Sequence, residues 1–202
     1  MSEILTSPRP SRFGRALGFR VVSSGSAVPQ RVVTNADLGH LGCDPEWILS
    51  RSGIQERRHV DPGMATSDLA IQAAERALAA CPNRRKEVDL LVLGTFTPDT
   101  SLPSTACLVQ EKIGVNAPAM DVTAACAGFA YALVTAGQFL ATGSSKLAMV
   151  IGVDTNSRVV NPADIKTWPL FGDGAGAVLL ERAEGKQEST GLLAWSLGSD
   201  GR

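Results

Sequence analysis

The sequence predicts an α/β fold in which a mostly parallel sheet carries helices on both faces. From about residue 88 onward, apolar segments of strand length alternate with segments of helical pattern, and strands that are separated by helices usually pair in parallel. The continuous apolar runs at residues 90–93 and 148–151 are typical of strands that are covered on both faces.

The earlier part of the chain contains one predicted strand and three predicted helices. Residues 19–28 form the strand, and residues 34–37 offer a cap and first turn for a short helix. A second helix is predicted to begin at Pro45, because Asp44 can accept hydrogen bonds from free amides and proline fits the first helical position. A longer helix over residues 67–80 presents a stripe of alanines.

The later part of the chain alternates between strands and helices. Strands are predicted at residues 88–95, 119–122, 147–153 and 175–181, and helices at residues 104–113 and 127–141. Since no helix separates the last two strands, the run of βα units is predicted to close with a hairpin-like return.

Composition and charge exclude several classes of function. The 202 residues are 44% hydrophobic and 19% charged, which suits a globular chain with a substantial core. The 19 basic and 20 acidic residues give a net charge of -1, so no nucleic-acid surface is expected. The four cysteines show neither a CxxC pair nor zinc-like spacing with the two histidines. No metal site is therefore predicted, and reduced thiols in a cytoplasmic protein are expected.

Two segments have compositions that targeting or membrane sequences share. Residues 122–145 contain no charge and are long enough to span a membrane. Their Ala, Gly, Thr and Ser content is too weakly apolar for insertion, so a buried helix is predicted and a membrane span is not. Residues 1–18 are interpreted as a flexible tail, and their arginines and serines leave a transit peptide as the alternative.

The chemistry concentrates at residues 121–129, where a predicted strand passes into a helix through a loop of small residues. Cys126 lies at the amino end of that helix, where free amides and the helix dipole favour the nucleophilic thiolate. The small neighbours leave room for a substrate carbonyl, and the Cys126 amide can help to bind an oxyanion. A buried structural cysteine in an alanine-rich turn is the alternative that these residues alone leave open.

Four segments give this cysteine a family context. In chain order they are EWILSRSGIQERRHV from Glu46, TFTPDTSLPSTACLVQEKIG from Thr95, AACAGFAYAL around Cys126 and LFGDGAGAVLL from Leu170. Together they resemble the β-ketoacyl-acyl carrier protein synthase III family of fatty acid biosynthesis, over about residues 19–202. The resemblance implies an acyltransferase in which Cys126 accepts an acyl group from acyl-CoA for decarboxylative condensation with malonyl-acyl carrier protein.

The resemblance also implies the thiolase-like fold, in which two pseudo-equivalent βα halves pack as alternating layers. Residues 19–202 match the nucleophile-bearing half, so the second half is expected to be absent or incomplete. The family's catalytic His and Asn lie in that later half, and neither His40 nor His59 is expected to replace them. We therefore expect these residues alone to accept an acyl group without forming a β-ketoacyl product, and to expose apolar surface.

Residues of the substrate entrance follow from the resemblance as well. Trp47 matches a tryptophan that stacks on the adenine of coenzyme A, and Arg51 matches a phosphate-binding arginine one helical turn later. A surface contact between these two side chains without a ligand is the alternative. A second arginine of many members is replaced by Ile165, which leaves the opposite side of this clamp undefined.

Two further positions are read in the same way. Leu102 matches the position from which a loop of one subunit closes the acyl tunnel of its partner in a homodimer, and a leucine there favours a primer somewhat longer than acetyl. The glycines of residues 171–176 do not follow GxGxxG and precede a strand, which favours a structural role over a dinucleotide loop. The resemblance implies a tight turn into a core strand here, with Asp173 as a turn or network residue. No cofactor is expected, since the coenzyme A thioester is itself the substrate.

Three interpretations of function follow from these observations. The first is the condensing enzyme described above. The second is a related thiolase-fold enzyme, such as a hydroxymethylglutaryl-CoA synthase or an acyltransferase of specialised metabolism. The third is a non-catalytic, half-length module that pairs with a complementary half or with a second copy of itself.

Overall fold

A computed structural model describes residues 12–183 and 191–200. Its strands are β1 (Arg12–Ala27), β2 (Arg31–Thr34), β3 (Glu56–His59), β4 (Leu90–Gly94), β5 (Ala119–Val122), β6 (Leu147–Thr155), β7 (Asp173–Arg182) and β8 (Gly191–Leu197). Its α-helices are α1 (Pro45–Ser52), α2 (Thr66–Ala79), α3 (Thr105–Lys112) and α4 (Gly128–Ala141). Six strands form the main sheet in the order β5-β4-β6-β7-β1-β8, and β2 pairs with β3 in a separate small sheet.

The main sheet is mixed. Strands β5, β4 and β6 are parallel neighbours, whereas β6 and β7, β7 and β1, and β1 and β8 are antiparallel pairs. Four strands therefore run in one direction and β7 and β8 in the other, so parallel pairing is confined to one side of the sheet. The antiparallel pair of β6 and β7 confirms the predicted return at the end of the βα units.

Helices cover both faces of the sheet, as predicted. Alternate residues of the central strands enter two separate hydrophobic clusters. Leu91 and Met149 pack with residues of α2 and α3 on one face, and Val92 and Val150 pack with residues of α4 on the other. Every residue of β4 is buried. This two-sided burial explains why the central strands consist of continuous apolar runs rather than alternating ones.

The predicted boundaries of the α-helices agree with the structure to within a residue or two, and the short helix predicted from residues 34–37 is a 3-10 helix at Ala36–Leu41. Asp44 caps α1, and its Oδ1 accepts a hydrogen bond from the backbone N of Glu46 at 3.2 Å. Helix α4 has 14 residues, and the uncharged stretch is shared between this helix, the end of β5 and the turns beside them. Within the described part of the chain, no helix is long and apolar enough to cross a membrane.

Three features of the fold differ from the sequence analysis or are absent from it. Strand β1 begins at Arg12, so the predicted tail of residues 1–18 is too long: residues 12–18 pair with β8. Residues 1–11 of that tail lie outside the described residues. Strand β8 is not predicted, because its partner lies far away in the sequence. Strands β2 and β3 are not predicted either, since their sequences, RVVT and ERRH, are only four residues long and ERRH is rich in charge.

Candidate active site

The turn before α4 carries Cys126. Residues Ala125–Ala127 form a single 3-10 turn between β5 and α4, and the cysteine is exposed. The thiol therefore stands at the amino end of a 14-residue helix, as predicted. Ala125 has a φ of 45°, in the left-handed region that costs a residue with a Cβ on the order of 1 kcal/mol or more. The surrounding structure thus holds the turn in a conformation that the chain does not favour by itself.

Two glycines allow the amino end of α4 to rest directly on the sheet. A Cβ on Gly94 would lie 2.4 Å from the carbonyl carbon of Gly128. A Cβ on Gly152, which pairs with Gly94 across the sheet, would lie 2.9 Å from the Cβ of Phe129. Both distances are too short for real contacts, so larger residues at these two positions would push α4 away. The absence of side chains at Gly94 and Gly152 therefore determines how close Cys126 lies to the sheet.

Cys126 lines an open cleft of about 640 Å³, a volume typical of small-molecule sites. The turn and α4 form one wall, and small residues from β1, β4, β6 and β7 line the rest. The lining residues of these strands include Ser24, Gly25, Ser26, Gly94, Gly152, Gly174, Gly176 and Val178. Because glycines dominate this list, the cleft leaves space beside the thiol for a bound molecule. We call it the Cys126 cleft.

Asp154 is a polar residue of the Cys126 cleft that the sequence analysis did not single out. Its Oδ1 accepts hydrogen bonds from Thr95 Oγ1 at 2.9 Å, the backbone N of Phe96 at 2.9 Å and Thr97 Oγ1 at 3.2 Å. Thr97 Oγ1 in turn accepts a hydrogen bond from the backbone N of Thr155 at 2.9 Å. Asp154 therefore fastens the loop after β4 to the end of β6, beside the strand end on which α4 rests.

Asp121 steadies β5, the strand that leads to the Cys126 turn. Its two carboxylate oxygens accept hydrogen bonds from the backbone N of Thr105 and of Ala106, each at 2.8 Å. These amides lie in the first turn of α3, where a carboxylate satisfies free donors and interacts favourably with the helix dipole. The turn of Cys126 thus departs from a strand that is fixed to a neighbouring helix.

The tight turn expected at residues 171–176 is not formed, because residues 173–176 are already part of β7, where they pair with β6 and β1. Asp173, the first residue of this strand, is a network residue. It is buried, its Oδ1 accepts a hydrogen bond from the backbone N of Ser157 at 2.8 Å, and its Oδ2 accepts one from the backbone N of Val60 at 2.7 Å. The hydroxyl of Ser157 also donates to Oδ2. The carboxylate therefore joins β7 to the end of β3 and to the turn after β6, and its oxygens are engaged in holding the backbone.

The predicted entrance residues lie apart from the thiol. Trp47 and Arg51 are exposed on α1, with Trp47 51% exposed, and neither lines the Cys126 cleft. Ile165, at the position where the family often has arginine, is exposed as well. Leu102 is 87% exposed, in the loop between β4 and α3. The structure therefore leaves these side chains exposed, with Trp47 and Arg51 one turn apart on α1.

Neither histidine lines the Cys126 cleft. His59 is buried, its ring stands edge-on to Trp168 with centroids 4.7 Å apart, and its Nε2 lies 3.3 Å from the carbonyl oxygen of Phe171. His40 is exposed, and its Nδ1 lies 3.0 Å from the carbonyl oxygen of Asp37. Among residues 12–183 and 191–200, no group of three His, Cys, Asp or Glu side chains could hold a metal ion.

The mixed sheet with helices on both faces and a cysteine at the amino end of a central helix define the thiolase-like class of α/β proteins. Residues 120–201 match the family model of 3-oxoacyl-[acyl-carrier-protein] synthase III. The chain is 49% identical to the β-ketoacyl-[acyl-carrier-protein] synthase III of Rhodopirellula baltica, over 93% of this chain and 59% of that protein. Over the length that it spans, the chain is similar to the β-ketoacyl-[acyl-carrier-protein] synthase III family.

Solved structures agree with this assignment. The 3-oxoacyl-[acyl-carrier-protein] synthase III of Aquifex aeolicus superposes with a TM-score of 0.78 at 42% identity, over 84% of this chain and 55% of that chain. A priming β-ketosynthase of a polyketide biosynthetic pathway superposes with a TM-score of 0.79 at 32% identity, over 87% of this chain and 53% of that chain. The chain thus spans a little over half the length of the relatives that it matches.

Proposed function

We propose that the whole protein is an acyltransferase of the β-ketoacyl-acyl carrier protein synthase III type. Cys126 accepts an acyl group from acyl-CoA, and the acyl group then condenses with malonyl-acyl carrier protein. The observation that carries the proposal is the Cys126 turn, an exposed thiol at the amino end of α4 on the edge of an open cleft. The similarity to the β-ketoacyl-[acyl-carrier-protein] synthase III family supports it, because the relatives are named for this reaction.

In the first half-reaction, the thiolate of Cys126 attacks the thioester carbonyl of acyl-CoA. The carbonyl oxygen takes up the negative charge, the carbon–sulfur bond to coenzyme A breaks, and coenzyme A leaves as a thiol after taking up a proton. Free amides and the positive dipole end of α4 stabilise the negative charge of the oxyanion. The glycines around the thiol leave room for the planar thioester to approach.

In the second half-reaction, malonyl-acyl carrier protein loses carbon dioxide and the resulting enolate attacks the acyl-Cys126 carbonyl. The cysteine is released, and the β-ketoacyl group remains on the carrier protein. Hydrogen-bond donors must stabilise the enolate oxygen. The described lining of the Cys126 cleft contains Asp154 and Asn156 but no histidine. We therefore propose that these donors come from the part of the relatives' length that this chain does not span.

The decisive experiment for the proposed function is acyl transfer to the natural full-length protein. The protein is incubated with acetyl-CoA, and its intact mass is measured before and after. We expect the addition of one acetyl group, mapped by peptide analysis to Cys126. A protein that gains no acetyl group from acetyl-CoA or from longer acyl-CoA donors would contradict the proposal.

The entrance residues lead to a prediction on substrate binding. Trp47→Ala and Arg51→Ala are each expected to raise the KM for acetyl-CoA on the order of tenfold, because base stacking and phosphate pairing are each worth roughly 1–2 kcal/mol. Transfer from acetyl-N-acetylcysteamine, a small thioester without a nucleotide, should not change. Leu49→Ala is the matched control, since Leu49 is also exposed on α1. Equal slowing of both donors would argue against a nucleotide clamp.

The exposed Leu102 leads to a prediction on primer length. We propose a homodimer that pairs at the β5 edge of the main sheet, with Leu102 of one subunit closing the acyl tunnel of its partner. Leu102→Phe is expected to narrow the tunnel and to lower activity with acyl groups longer than acetyl about tenfold relative to acetyl, since one large side chain changes such selectivity by 1–3 kcal/mol. The check is acyl-CoA competition kinetics. Strict preference for acetyl in both the wild type and Leu102→Phe would contradict the role proposed for Leu102.

An acyltransferase of specialised metabolism is the second candidate. The observation that favours it is the similarity to the priming β-ketosynthase of a polyketide pathway. The two candidates share acylation of Cys126 and differ in the carrier protein, so an assay with malonyl groups on carrier proteins of both pathways separates them. A non-catalytic pairing module requires that the natural polypeptide has only 202 residues. Mass measurement of the natural protein tests this requirement. All three are proposed to act in the cytoplasm without a bound cofactor.

A further inference from the structure

Arg57 is a buried cation whose described partners are all neutral. It is 5% exposed, and its guanidinium donates hydrogen bonds to the carbonyl oxygen of Val33 at 3.2 Å, Asn35 Oδ1 at 2.8 Å and the carbonyl oxygen of Pro169 at 2.9 Å. Its Nε has no partner among the described residues, and burial lowers the pKa of the guanidinium. Burying an arginine without a carboxylate costs free energy, which points to a geometric role for the side chain.

Asn35 carries the effect of Arg57 to both ends of α1. Its Nδ2 donates to the carbonyl oxygen of Ile54 at 2.8 Å, just after the helix, and approaches that of Pro45, the first helical residue, at 3.4 Å. The same amide group offers Arg57 its carbonyl oxygen. One side chain therefore connects the guanidinium to the start and to the exit of the helix that bears Trp47.

The other side of Arg57 faces residues 169–173, which lead into β7. Three consecutive links join β3 and its end to this segment: Arg57 with the carbonyl oxygen of Pro169, His59 with that of Phe171, and the backbone N of Val60 with Asp173. Strand β7 then contributes to the lining of the Cys126 cleft. Strand β3 therefore connects helix α1 to a strand that lines the Cys126 cleft.

We propose that Arg57 is a positioning residue that fixes α1 at a set place relative to the Cys126 cleft. The proposal rests on the proposed function, because an acyl-CoA that is held at α1 must reach the thiol with its acyl group. Arginine suits this place since its rigid fork reaches acceptors in three separate segments, whereas a lysine ammonium is a point charge on a flexible stem. Loss of the fork lets α1 shift without changing the thiol.

The test compares two acyl donors in the natural full-length protein. In Arg57→Met, the KM for acetyl-CoA is expected to rise about tenfold, a loss of about 1.4 kcal/mol. The rate with acetyl-N-acetylcysteamine and the rate of Cys126 alkylation by iodoacetamide should stay unchanged. Arg57→Lys should behave like Arg57→Met. Arg58→Met is the matched control on the same strand, because Arg58 contacts the carbonyl oxygens of Pro29 and Gln30, and it should match the wild type.

Two kinetic outcomes would overturn the proposal. Equal slowing with both donors would show that Arg57 supports the fold as a whole, and recovery in Arg57→Lys would show that charge alone suffices. Hydrogen exchange gives a test that needs no acyl transfer: Arg57→Met should speed exchange in residues 45–52 and 169–173 but not in residues 128–141. Unchanged exchange in residues 45–52 would also overturn it. If the wild type accepts acetyl from neither donor, the proposed function has failed and hydrogen exchange alone decides the role of Arg57.

Discussion

Cys126→Ala is expected to abolish the acyl label that the wild-type protein acquires from acetyl-CoA. The label is a thioester at the sulfur of Cys126, so the variant has no atom to carry it. Because the thiol is exposed at the end of α4 and alanine is already its neighbour on both sides, the substitution should leave the turn folded. Intact-mass spectrometry after incubation with acetyl-CoA measures the loss, and circular dichroism confirms that the variant is folded.

Cys107→Ala is the matched control for this experiment, because Cys107 is exposed as well. Its thiol is engaged elsewhere: Ser104 Oγ lies 3.1 Å from its sulfur, and the sulfur lies 3.7 Å from the carbonyl oxygen of Ala119. The variant should retain the full label, as should Cys43→Ala and Cys81→Ala. A label that persists in Cys126→Ala would show that another nucleophile accepts the acyl group, and the nucleophile assignment would then be wrong.

The main sheet was predictable because its signals are local. Strands β4 and β6 are continuous apolar runs, and the buried alanines of α2 recur at helical spacing, so each element is defined by its own residues. Strand β8 and the first residues of β1 are different. Arg12 pairs with Leu197 and Gly18 with Gly191, and no local pattern reveals a partner that lies so far along the chain. The same limit applies to β2 and β3, which have four residues each and pair across the segment that contains α1.

The residues of the candidate site also differ in whether the local sequence reveals them. Cys126 was found because a strand, a loop of small residues and a helix follow one another in sequence. The sequence did not reveal Asp154 and Arg57, because their hydrogen-bond partners come close to them only when the chain folds. One signal was present: the apolar run of β4 ends in Gly94, and that of β6 passes through Gly152. Glycines at matching places in two strands indicate a close approach of another element.

Gly94→Ala is expected to destabilise the protein strongly and to displace the Cys126 turn. The added Cβ would lie 2.4 Å from the carbonyl carbon and 2.5 Å from the carbonyl oxygen of Gly128. These are backbone atoms that cannot rotate away, so either the end of β4 or the start of α4 must move. Overpacking of this kind typically costs 1–3 kcal/mol and sometimes more, and we expect about 3 kcal/mol of unfolding free energy. Urea denaturation of the natural full-length protein measures the loss.

Gly176→Ala is the matched control, because Gly176 lies in the same row of the sheet, joined to Gly94 through Gly152. A Cβ on Gly176 would meet no atom within 4 Å. The unfolding free energy of the Gly176→Ala variant should therefore equal that of the wild type or exceed it by about 0.5 kcal/mol, because alanine reduces the conformational freedom of the unfolded chain. Alkylation of Cys126 by iodoacetamide should change in Gly94→Ala and remain as in the wild type in Gly176→Ala. Equal stability of the two variants would mean that contact between β4 and α4 does not fix the height of the thiol above the sheet.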